Sequence, residues 1–273
     1  AMKEGADFVA TGHYARIIKA KDNFILMRGR DANKDQSYFL YTLDESELQK
    51  TIFPVGDLLK TEVREYAESA RLPVAEKHDS QGLCFVGDVT MRDFLSRYIQ
   101  LQKGTVLDMD GNAIGKHDGA SLYTTGQRHG FTVHKKSENR LIYFVVSTDV
   151  HANTISVSSD LADCASDGVT IEGFHWISGK QNIPLVCKIQ SRYRELAIDA
   201  TIDDENGVVT AAFGKKHIAS PGQALVIYEN DKCLGGGVIS ELVKGIKPQG
   251  KPWTLAHAKH VLRGLVPRQA AGF

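Results

Sequence analysis

The sequence lacks an excess of charge of either sign. Its 273 residues contain 33 Lys and Arg against 33 Asp and Glu, so the formal net charge is zero. A chain without net charge exerts no global attraction on nucleic acid, and any such binding has to come from local basic patches. The chain also has no internal repeat and no low-complexity tract. Its 42% hydrophobic and 24% charged residues are typical of a soluble globular protein of about two domains.

Cysteines are few and scattered. The four of them form no CxxC pair and no cluster with histidine at zinc spacing, so we predict no metal-ligand set in this chain. The sequence opens with no signal peptide and contains no apolar run long enough to cross a membrane. We therefore expect a cytoplasmic, monomeric protein without membrane association, whose cysteines are free thiols.

Cys84 stands in an unusual setting for a cysteine. It lies in the sequence KHDSQGLCFVG, after small and polar residues rather than inside an apolar run. Gly82 permits a tight turn that would present the thiol, and a polar setting favours a reactive thiolate. The alternative is a buried structural cysteine, which is how we interpret Cys164, Cys187 and Cys233. The loop context favours a reactive Cys84.

The hydrophobic pattern divides the chain into four parts. Residues 1–98 predict an α/β region, with a buried parallel strand at 8–11 and two β-like runs at 15–20 and 23–28. Two helices follow, with Thr61 and Thr90 as their N-caps, and we expect the second helix to bury Phe94, Leu95 and Tyr98. Residues 99–165 predict a small central domain, with a hairpin turn at 110–111 and a strand pair at 141–146 and 154–157. Residues 166–243 predict an all-β barrel or sandwich, with strands at 186–191, 196–202, 208–213, 224–228 and 234–239. Residues 244–273 form a basic tail with no acidic residue.

Two groups of polar residues in the α/β region are candidates for ligand contacts. Gly12 and His13 follow the first strand, where α/β folds bind ligands, although a simple turn explains them equally well. Lys34 suits a phosphate and Gln36 a base edge. Taken alone, that segment favours the alternative, in which Asp35 is a helix cap and Lys34 a solvated charge.

The β region offers a third group. Arg192, Tyr193 and Arg194 combine the cation and the aromatic ring that grip phosphate and stack on unpaired bases. In a strand the two arginines would share one face and Tyr193 the other, and the alternative is a charged edge strand. Gln223 is either a further RNA contact or a turn residue. The Gly-flanked loop 126–130 is likewise either an RNA contact or only a solvated loop.

The motifs TGHYARI, KDQSYFL, FPVGDL, LPVAEKHDSQGLCFVG, GQRHG, RYRE and PGQ follow one another in this order. With this order the chain resembles the tRNA-specific 2-thiouridylases, the MnmA family, over roughly residues 1–243. The resemblance implies an adenine nucleotide α-hydrolase-like (PP-loop) domain, a small central domain and a C-terminal β-barrel. It also implies that ATP and magnesium serve to adenylate the 2-oxygen of the wobble uridine in tRNA, and that sulfur from a protein persulfide replaces that oxygen.

The resemblance also implies roles for individual residues. Cys84 matches the persulfide-carrying cysteine and Gly12 a position that contacts ATP. The positions that match tRNA contacts are His13, Lys34, Asp35, Gln36, Arg192, Tyr193 and Gln223. The partners implied are the anticodon region of tRNA and a sulfur-relay protein or cysteine desulfurase, and the family pattern includes a disulfide bond.

The sequence departs from the family pattern at two places. The phosphate loop SGGxDS is absent, since ISGK at 177–180 lacks the second Gly and the Asp-Ser pair, and the second catalytic cysteine that precedes TGHYA in the family is absent as well. We therefore expect an amino-terminally truncated chain that does not thiolate tRNA by itself. Two further hypotheses are a non-enzymatic RNA-binding module and a cysteine hydrolase that uses Cys84 with His13 or His78.

Overall fold

The structure is a computed structural model that describes residues 1–21, 23–76, 89–134 and 141–248. The amino-terminal region contains three α-helices, four strands and two 3₁₀ helices within these ranges. The strands are β1 (Val9–Ala10), β2 (Ala15–Ala20), β3 (Asn23–Arg28) and β4 (Thr51–Ile52), the α-helices are α1 (Glu45–Gln49), α2 (Lys60–Ser69) and α3 (Met91–Leu95), and the 3₁₀ helices are Met2–Glu4 and Ser37–Leu40. No helix in the described ranges has the length and apolar character that a membrane crossing requires.

The first strand is not buried, contrary to the prediction. β1 pairs in parallel with β4 through Val9 and Thr51, and these two strands form a sheet of their own. Phe8 is 54% exposed and Val9 36% exposed. A two-stranded sheet covers neither of its faces, so the apolar residues of β1 stay accessible. The two β-like runs that follow are confirmed as the antiparallel hairpin β2–β3.

The helix starts follow side-chain hydrogen bonds. The prediction that Thr61 caps α2 was wrong, because Glu62 reaches back and accepts a hydrogen bond from the backbone N–H of Leu59 at 2.6 Å. The helix therefore begins one residue before Thr61. Thr90 caps α3 as predicted, with its hydroxyl accepting from the N–H of Asp93 at 3.1 Å. Tyr98, which was predicted to be buried by this helix, is 73% exposed.

The central region is a five-stranded sheet with its own core. Its strands are β5 (Gly104–Leu107), β6 (Ala113–His117), β7 (Phe131–Val133), β8 (Phe144–Asp149) and β9 (Thr154–Ser158), in the order β7-β6-β5-β9-β8, with 3₁₀ helices at Ala120–Leu122 and Leu161–Cys164. The β5–β6 hairpin confirms the turn at 110–111, where Gly111 has a φ of 83°. The β8–β9 pair confirms the second predicted hairpin. Val106, Val145 and Ile155 fill the core.

The last region is a closed six-stranded antiparallel barrel, which confirms the predicted barrel. Its strands are β10 (Ser166–Trp176), β11 (Leu185–Gln190), β12 (Ile198–Glu205), β13 (Val208–His217), β14 (Ala224–Glu229) and β15 (Lys232–Val243). They follow the order β10-β13-β12-β11-β14-β15, and pairing of β10 with β15 closes the ring. At this closure Gly235 has a φ of 145°, and a Cβ there would lie 2.0 Å from the carbonyl oxygen of His175. A side chain at Gly235 is therefore incompatible with closure.

The amino-terminal hairpin extends the sheet of the barrel. β3 pairs with β15 at Met27 and Lys232, so one continuous sheet runs from the barrel into the β2–β3 hairpin. Leu26 and Tyr38 of the amino-terminal region share a core with Val226 and Tyr228 of the barrel. This shared core brings the segment 34–40 against the barrel, although the two are far apart in sequence.

Candidate nucleic-acid interface

A cleft of about 900 Å³ lies between the segment after β3 and the barrel. Arg28, Asp35 and Tyr38 contribute to one wall, and Gln190 and Tyr193 contribute to the other. Asp35 and Tyr193 thus bring together two of the sequence groups that the resemblance assigns to tRNA. The other residues assigned to ATP or tRNA are not among those that line this cleft: Gly12, His13, Lys34, Gln36, Arg192 and Gln223.

Asp35 is held by four hydrogen bonds inside the protein. Its side chain is 8% exposed and accepts from Arg28 at 2.7 Å, from the N–H of Gly29 at 3.0 Å, and from both the N–H and the hydroxyl of Ser37 at 3.1 Å. The two bonds from Ser37 lie at the start of the 3₁₀ helix, but the N-cap position of this helix is Gln36, so Asp35 stands one residue before the position that the capping interpretation gave it. With its lone pairs occupied, this carboxylate orders the loop that carries its neighbours.

Arg28 ties this loop to the barrel. Its guanidinium lies 3.5 Å from the ring centroid of Tyr228, while it also pairs with Asp35. The Tyr228 hydroxyl hydrogen-bonds the Ser37 hydroxyl at 3.2 Å, and burial raises the pKa of this phenol far above its ordinary value. The tyrosine thus stays neutral and the cation stacks on its face.

The neighbours of Asp35 are fixed by hydrogen bonds to residues just before β2 and just after β3. Gln36 accepts from the N–H of Tyr14 through its side-chain oxygen at 3.0 Å and donates its own N–H to the Tyr14 carbonyl at 2.9 Å. Lys34 is half-buried and donates its backbone N–H to Asp31. The loop 34–36 therefore presents a set conformation to a ligand.

Gly12 and His13 follow β1, as predicted. Gly12 is exposed and a Cβ at this position would meet nothing within 4 Å. His13 is half-buried, with Nδ1 2.9 Å from the Thr11 hydroxyl and its ring edge towards Phe53. The site is open, and its neighbours Val9 and Ala10 are exposed as well.

Arg192, Tyr193 and Arg194 lie in a turn and not in a strand, so the predicted alternation of faces was wrong. β11 ends at Gln190, and Arg194 has a left-handed φ of 63°. The Arg192 guanidinium donates to the carbonyl of Thr125 at 2.6 Å and to the hydroxyl of Ser220 at 3.0 Å. It thereby links the turn to the loop before β7.

Glu195 accounts for the turn. Its carboxylate accepts from the N–H of Ser191 at 3.1 Å and from the Ser191 hydroxyl at 3.0 Å, and it lies 3.2 Å from Nε2 of His217. Its backbone carbonyl also accepts from the Gln190 amide. Burial by itself would raise the Glu195 pKa, but the hydrogen bond and charge of His217 and the hydrogen bonds from Ser191 lower it below its ordinary value. The ionised carboxylate closes the chain back on the end of β11.

Tyr193 is half-buried and packs on the core that the amino-terminal region shares with the barrel, among aromatic rings. Its centroid lies 4.5 Å from that of Phe39 and 6.3 Å from that of Tyr38. The Tyr38 hydroxyl donates to the Ala224 carbonyl at 2.8 Å, and burial, with the charge of Glu195, raises its pKa to about 12. The turn and the segment 37–40 are thus packed together.

Gln223 is exposed in the turn before β14. Its N–H donates to the Ser220 carbonyl at 3.2 Å, and its own carbonyl accepts from Ile239 at 2.8 Å. These backbone bonds agree with the turn interpretation and leave the side chain at the surface. The Ser220 hydroxyl bound by Arg192 connects this turn to the first one.

The structure describes three of the four cysteines, so it tests only part of the cysteine predictions. Cys84 and His78 lie outside the described residues, so the persulfide role and the hydrolase hypothesis both stay predictions. Cys164, Cys187 and Cys233 are buried and free, as the structural interpretation expected, so the implied disulfide bond does not join any two of them. Burial raises the pKa of all three thiols, that of Cys233 to about 12. In the described parts of the chain no group of three His, Cys, Asp or Glu side chains could hold a metal ion.

The cations that line the cleft were not predicted from the sequence. Arg16, Arg28, Arg30 and Lys188 join Arg194 there, and four acidic side chains, Asp35, Glu195, Glu229 and Asp231, stand among them. The β-like run at 23–28, which ends in Arg28, was the available signal, but a strand pattern does not say which cavity a terminal arginine reaches. The charges of the lining nearly cancel.

Comparison with known proteins identifies the family. Three family models match consecutive parts of the chain: the tRNA methyl transferase HUP domain at 1–88, the tRNA methyl transferase PRC-barrel domain at 92–159 and the aminomethyltransferase beta-barrel domain at 166–239. These are the α/β, central and barrel regions described above.

Curated relatives give the family a specific name. The chain is 40% identical over 246 residues to tRNA-specific 2-thiouridylase MnmA of Methylobacillus flagellatus, covering 88% of this chain and 68% of the relative. It is 41% identical to the protein of the same name from Nitrosococcus oceani and 38% identical to that from Bacillus velezensis, and it covers 67% of each. The chain thus spans about two thirds of the length of these relatives. With this identity along nearly nine tenths of its residues, the chain belongs to the tRNA-specific 2-thiouridylase (MnmA) family.

Proposed function

We propose that this protein takes part in the 2-thiolation of the wobble uridine in tRNA and binds tRNA along the cleft between the segment 34–36 and the turn 191–195. The observation that carries the proposal is that Asp35 and Tyr193, one from each of two segments that match tRNA contacts of the family, line the same cleft. Lys34, Gln36 and Arg192 lie next to these two residues in the chain but are not among the residues that line the cleft. Relatives named tRNA-specific 2-thiouridylase support the substrate class and the reaction.

In this proposal the protein's own residues bind and orient the RNA. Arg192 and Tyr193 lie on a turn that Glu195 closes. Lys34 and Gln36 lie on a loop that Asp35 orders. Because these segments are already ordered, binding costs little conformational entropy. His13 and Gln223 add contacts at two further places on the surface, and the target base leaves the anticodon stack to be reached.

Cys84 is the proposed sulfur carrier. The outer sulfur of the Cys84 persulfide attacks C2 of the activated uridine and expels the activated 2-oxygen. A second cysteine thiol, for which the family pattern has a place before TGHYA, then attacks the Cys84 sulfur, so that the S–S bond breaks, a disulfide forms between the two cysteines and the outer sulfur stays on C2. A sulfur-relay protein or cysteine desulfurase loads Cys84. We place this reaction in the cytoplasm and in a monomeric protein, with a PP-loop region at 1–98, a central domain at 99–165, a barrel at 166–243 and a basic tail at 244–273.

ATP with magnesium would supply the activation of the 2-oxygen. The open space at Gly12 is compatible with close approach of a nucleotide to the backbone, because a Cβ at this position would meet nothing within 4 Å. Because the 273 residues contain no SGGxDS sequence, we expect that they do not thiolate tRNA on their own.

The binding half of the proposal is tested by titrating the 273-residue chain with tRNA at about 50 to 200 mM salt. Arg192→Ala should weaken binding at low salt and reduce the salt slope by about one, because a phosphate contact is lost. Arg192→Lys should recover part of the affinity, since it keeps the charge. The matched control is Arg97→Ala, which removes an exposed arginine after α3. Unchanged affinity of Arg192→Ala at low salt would contradict the proposal.

The sulfur half is tested by incubating the chain with a cysteine desulfurase and cysteine, with Cys84→Ser as the control. The expected result is a mass gain of one sulfur atom in the unmodified chain that the variant lacks. If no sulfur is accepted while tRNA still binds, the protein is an RNA-binding module and not a sulfur carrier. ATP-dependent formation of 2-thiouridine by the 273 residues alone would refute the expected inactivity.

A further inference from the structure

Phe39 is the exposed member of a buried segment. Its neighbours in the 3₁₀ helix, Tyr38 and Leu40, are 6% and 8% exposed, whereas Phe39 is 47% exposed. A single exposed aromatic residue is ordinary and needs no explanation. This one differs because a second ring, that of Tyr193, lies 4.5 Å away at an interplanar angle of 47°. The two rings come from distant parts of the chain and meet beside the cleft.

Both rings lie on segments that hydrogen bonds fix to other parts of the protein. Tyr38, next to Phe39, anchors its hydroxyl on the carbonyl of Ala224. Tyr193 stands on the turn that Glu195 closes through Ser191. Rings that are already in place lose little freedom when a flat ligand stacks on them.

Arg194 completes this surface. Its guanidinium lies 5.3 Å from the Tyr193 centroid, and its φ of 63° is in the left-handed region, which is uncommon for a side chain of this size. A conformation of this kind persists only where the surrounding structure imposes it, and such residues concentrate at functional sites. The turn thus places a cation beside the aromatic pair.

Arg194 also differs from the other cations of the cleft. Arg16, Arg28, Arg30 and Lys188 pair with Asp57, Asp35, Glu62 and Asp199, respectively. Across the described ranges, no acidic side chain pairs with Arg194. It is therefore the cation of the cleft whose charge is available to a ligand. Leu196, which is 87% exposed, extends the apolar surface beyond it.

We propose that Phe39, Tyr193 and Arg194 form a platform for one unpaired base of single-stranded RNA, in which the base stacks on the exposed ring of Phe39, the inclined ring of Tyr193 contacts its edge and Arg194 meets the adjoining phosphate. Aromatic rings with an arginine are the means by which proteins hold unpaired bases. Because the charges of the cleft lining nearly cancel, we expect stacking to contribute more of the affinity at this place than the single phosphate contact of Arg194. The inference rests on the proposed RNA binding and adds Phe39 and Arg194, which lie within the motifs KDQSYFL and RYRE but to which the resemblance assigned no role.

The test uses the 273-residue chain, tRNA, and a single-stranded oligoribonucleotide of about ten nucleotides that carries the fluorescent base 2-aminopurine. Phe39→Ala should weaken binding of both RNAs by roughly 5- to 150-fold, the effect of losing one stacked base, and should relieve the quenching of the fluorescent base. The salt slope should stay unchanged, because no charge is removed. Phe39→Trp should keep the affinity, and Arg194→Ala should lower the salt slope.

Two further variants distinguish failure of the platform from failure of RNA binding as a whole. Tyr66→Ala removes an aromatic side chain that is 64% exposed on α2, away from the cleft lining, and should leave binding unchanged. Phe39→Leu keeps an apolar side chain but has no flat ring, so it decides the question if Phe39→Ala does not fold. Wild-type affinity for Phe39→Leu and Phe39→Ala, with a loss for Arg192→Ala, would overturn the platform and leave the proposed function standing. Absence of RNA binding by the unmodified chain would overturn both.

Discussion

At the scale of single residues, Asp35 shows how one side chain can match a binding motif and still serve the fold. Its carboxylate is buried and receives four hydrogen bonds, among them one from Arg28, which in turn stacks on Tyr228. A buried charge with this many partners is costly to disturb, because its partners lose their acceptor at the same time. The residue orders the loop on which Lys34 and Gln36 are presented.

We expect Asp35→Asn to lower the free energy of unfolding by about 3 kcal/mol, because Arg28 would be left as a buried charge without its partner. Urea unfolding measures this change. The control is Asp57→Asn, since Asp57 is 82% exposed and lies 3.8 Å from Arg16, a surface pair worth less than about 1 kcal/mol. Equal effects of the two substitutions would show that the Asp35 network contributes nothing beyond a surface contact.

At the scale of elements, the turn 191–195 depends on ionised groups rather than on the pattern of its sequence. A run of polar and aromatic residues after β11 looks like more strand, but the Glu195 carboxylate bends the chain back onto Ser191 and His217. Arg192 and Arg194 consequently point to different environments, one bound to the loop before β7 and one exposed. The separate roles proposed for these two arginines follow from the turn.

The turn should respond to acid. The Glu195 pKa is lower in the folded protein than its ordinary value of 4.5, so its contribution to stability is present above that value and is lost as the pH falls through the folded pKa. We expect the free energy of unfolding to decrease below about pH 4.5, and Glu195→Gln to remove this part of the pH dependence. Unfolding measured from pH 3 to pH 7 with both proteins checks it. A Glu195→Gln profile parallel to that of the wild type would contradict the assignment.

At the scale of the whole molecule, the amino-terminal hairpin and the barrel are one structural unit. Their sheet is continuous through β3 and β15, and Leu26 and Tyr38 are buried with Val226 and Tyr228. The central sheet has a separate core around Val106. The cleft exists because the first two parts share a core, so its shape depends on that core being intact.

We expect Leu26→Ala to cost about 2–5 kcal/mol and to increase hydrogen exchange in the barrel strands β14 and β15 as well as in the hairpin, because the emptied site belongs to both. Val106→Ala, at a site that is also 0% exposed, should increase exchange in the central sheet alone. Barrel protection that is unaffected by Leu26→Ala would mean that hairpin and barrel open independently.

The sequence by itself determined the features that depend on neighbouring residues and on motif order. The two hairpins of the central region, the β2–β3 hairpin, the Thr90 cap and five of the six barrel strands follow from local alternation and turn residues, and the order of seven motifs indicated the family that comparison confirms. Only the tertiary structure decided which side chains are engaged inside the protein and which a ligand can reach. It assigned Asp35 to an internal network, bent Arg192 to Arg194 into a turn and placed Phe39 against Tyr193. The physical reason is that periodicity and turn chemistry act over a few residues, whereas burial and pairing depend on contacts between segments far apart in the chain.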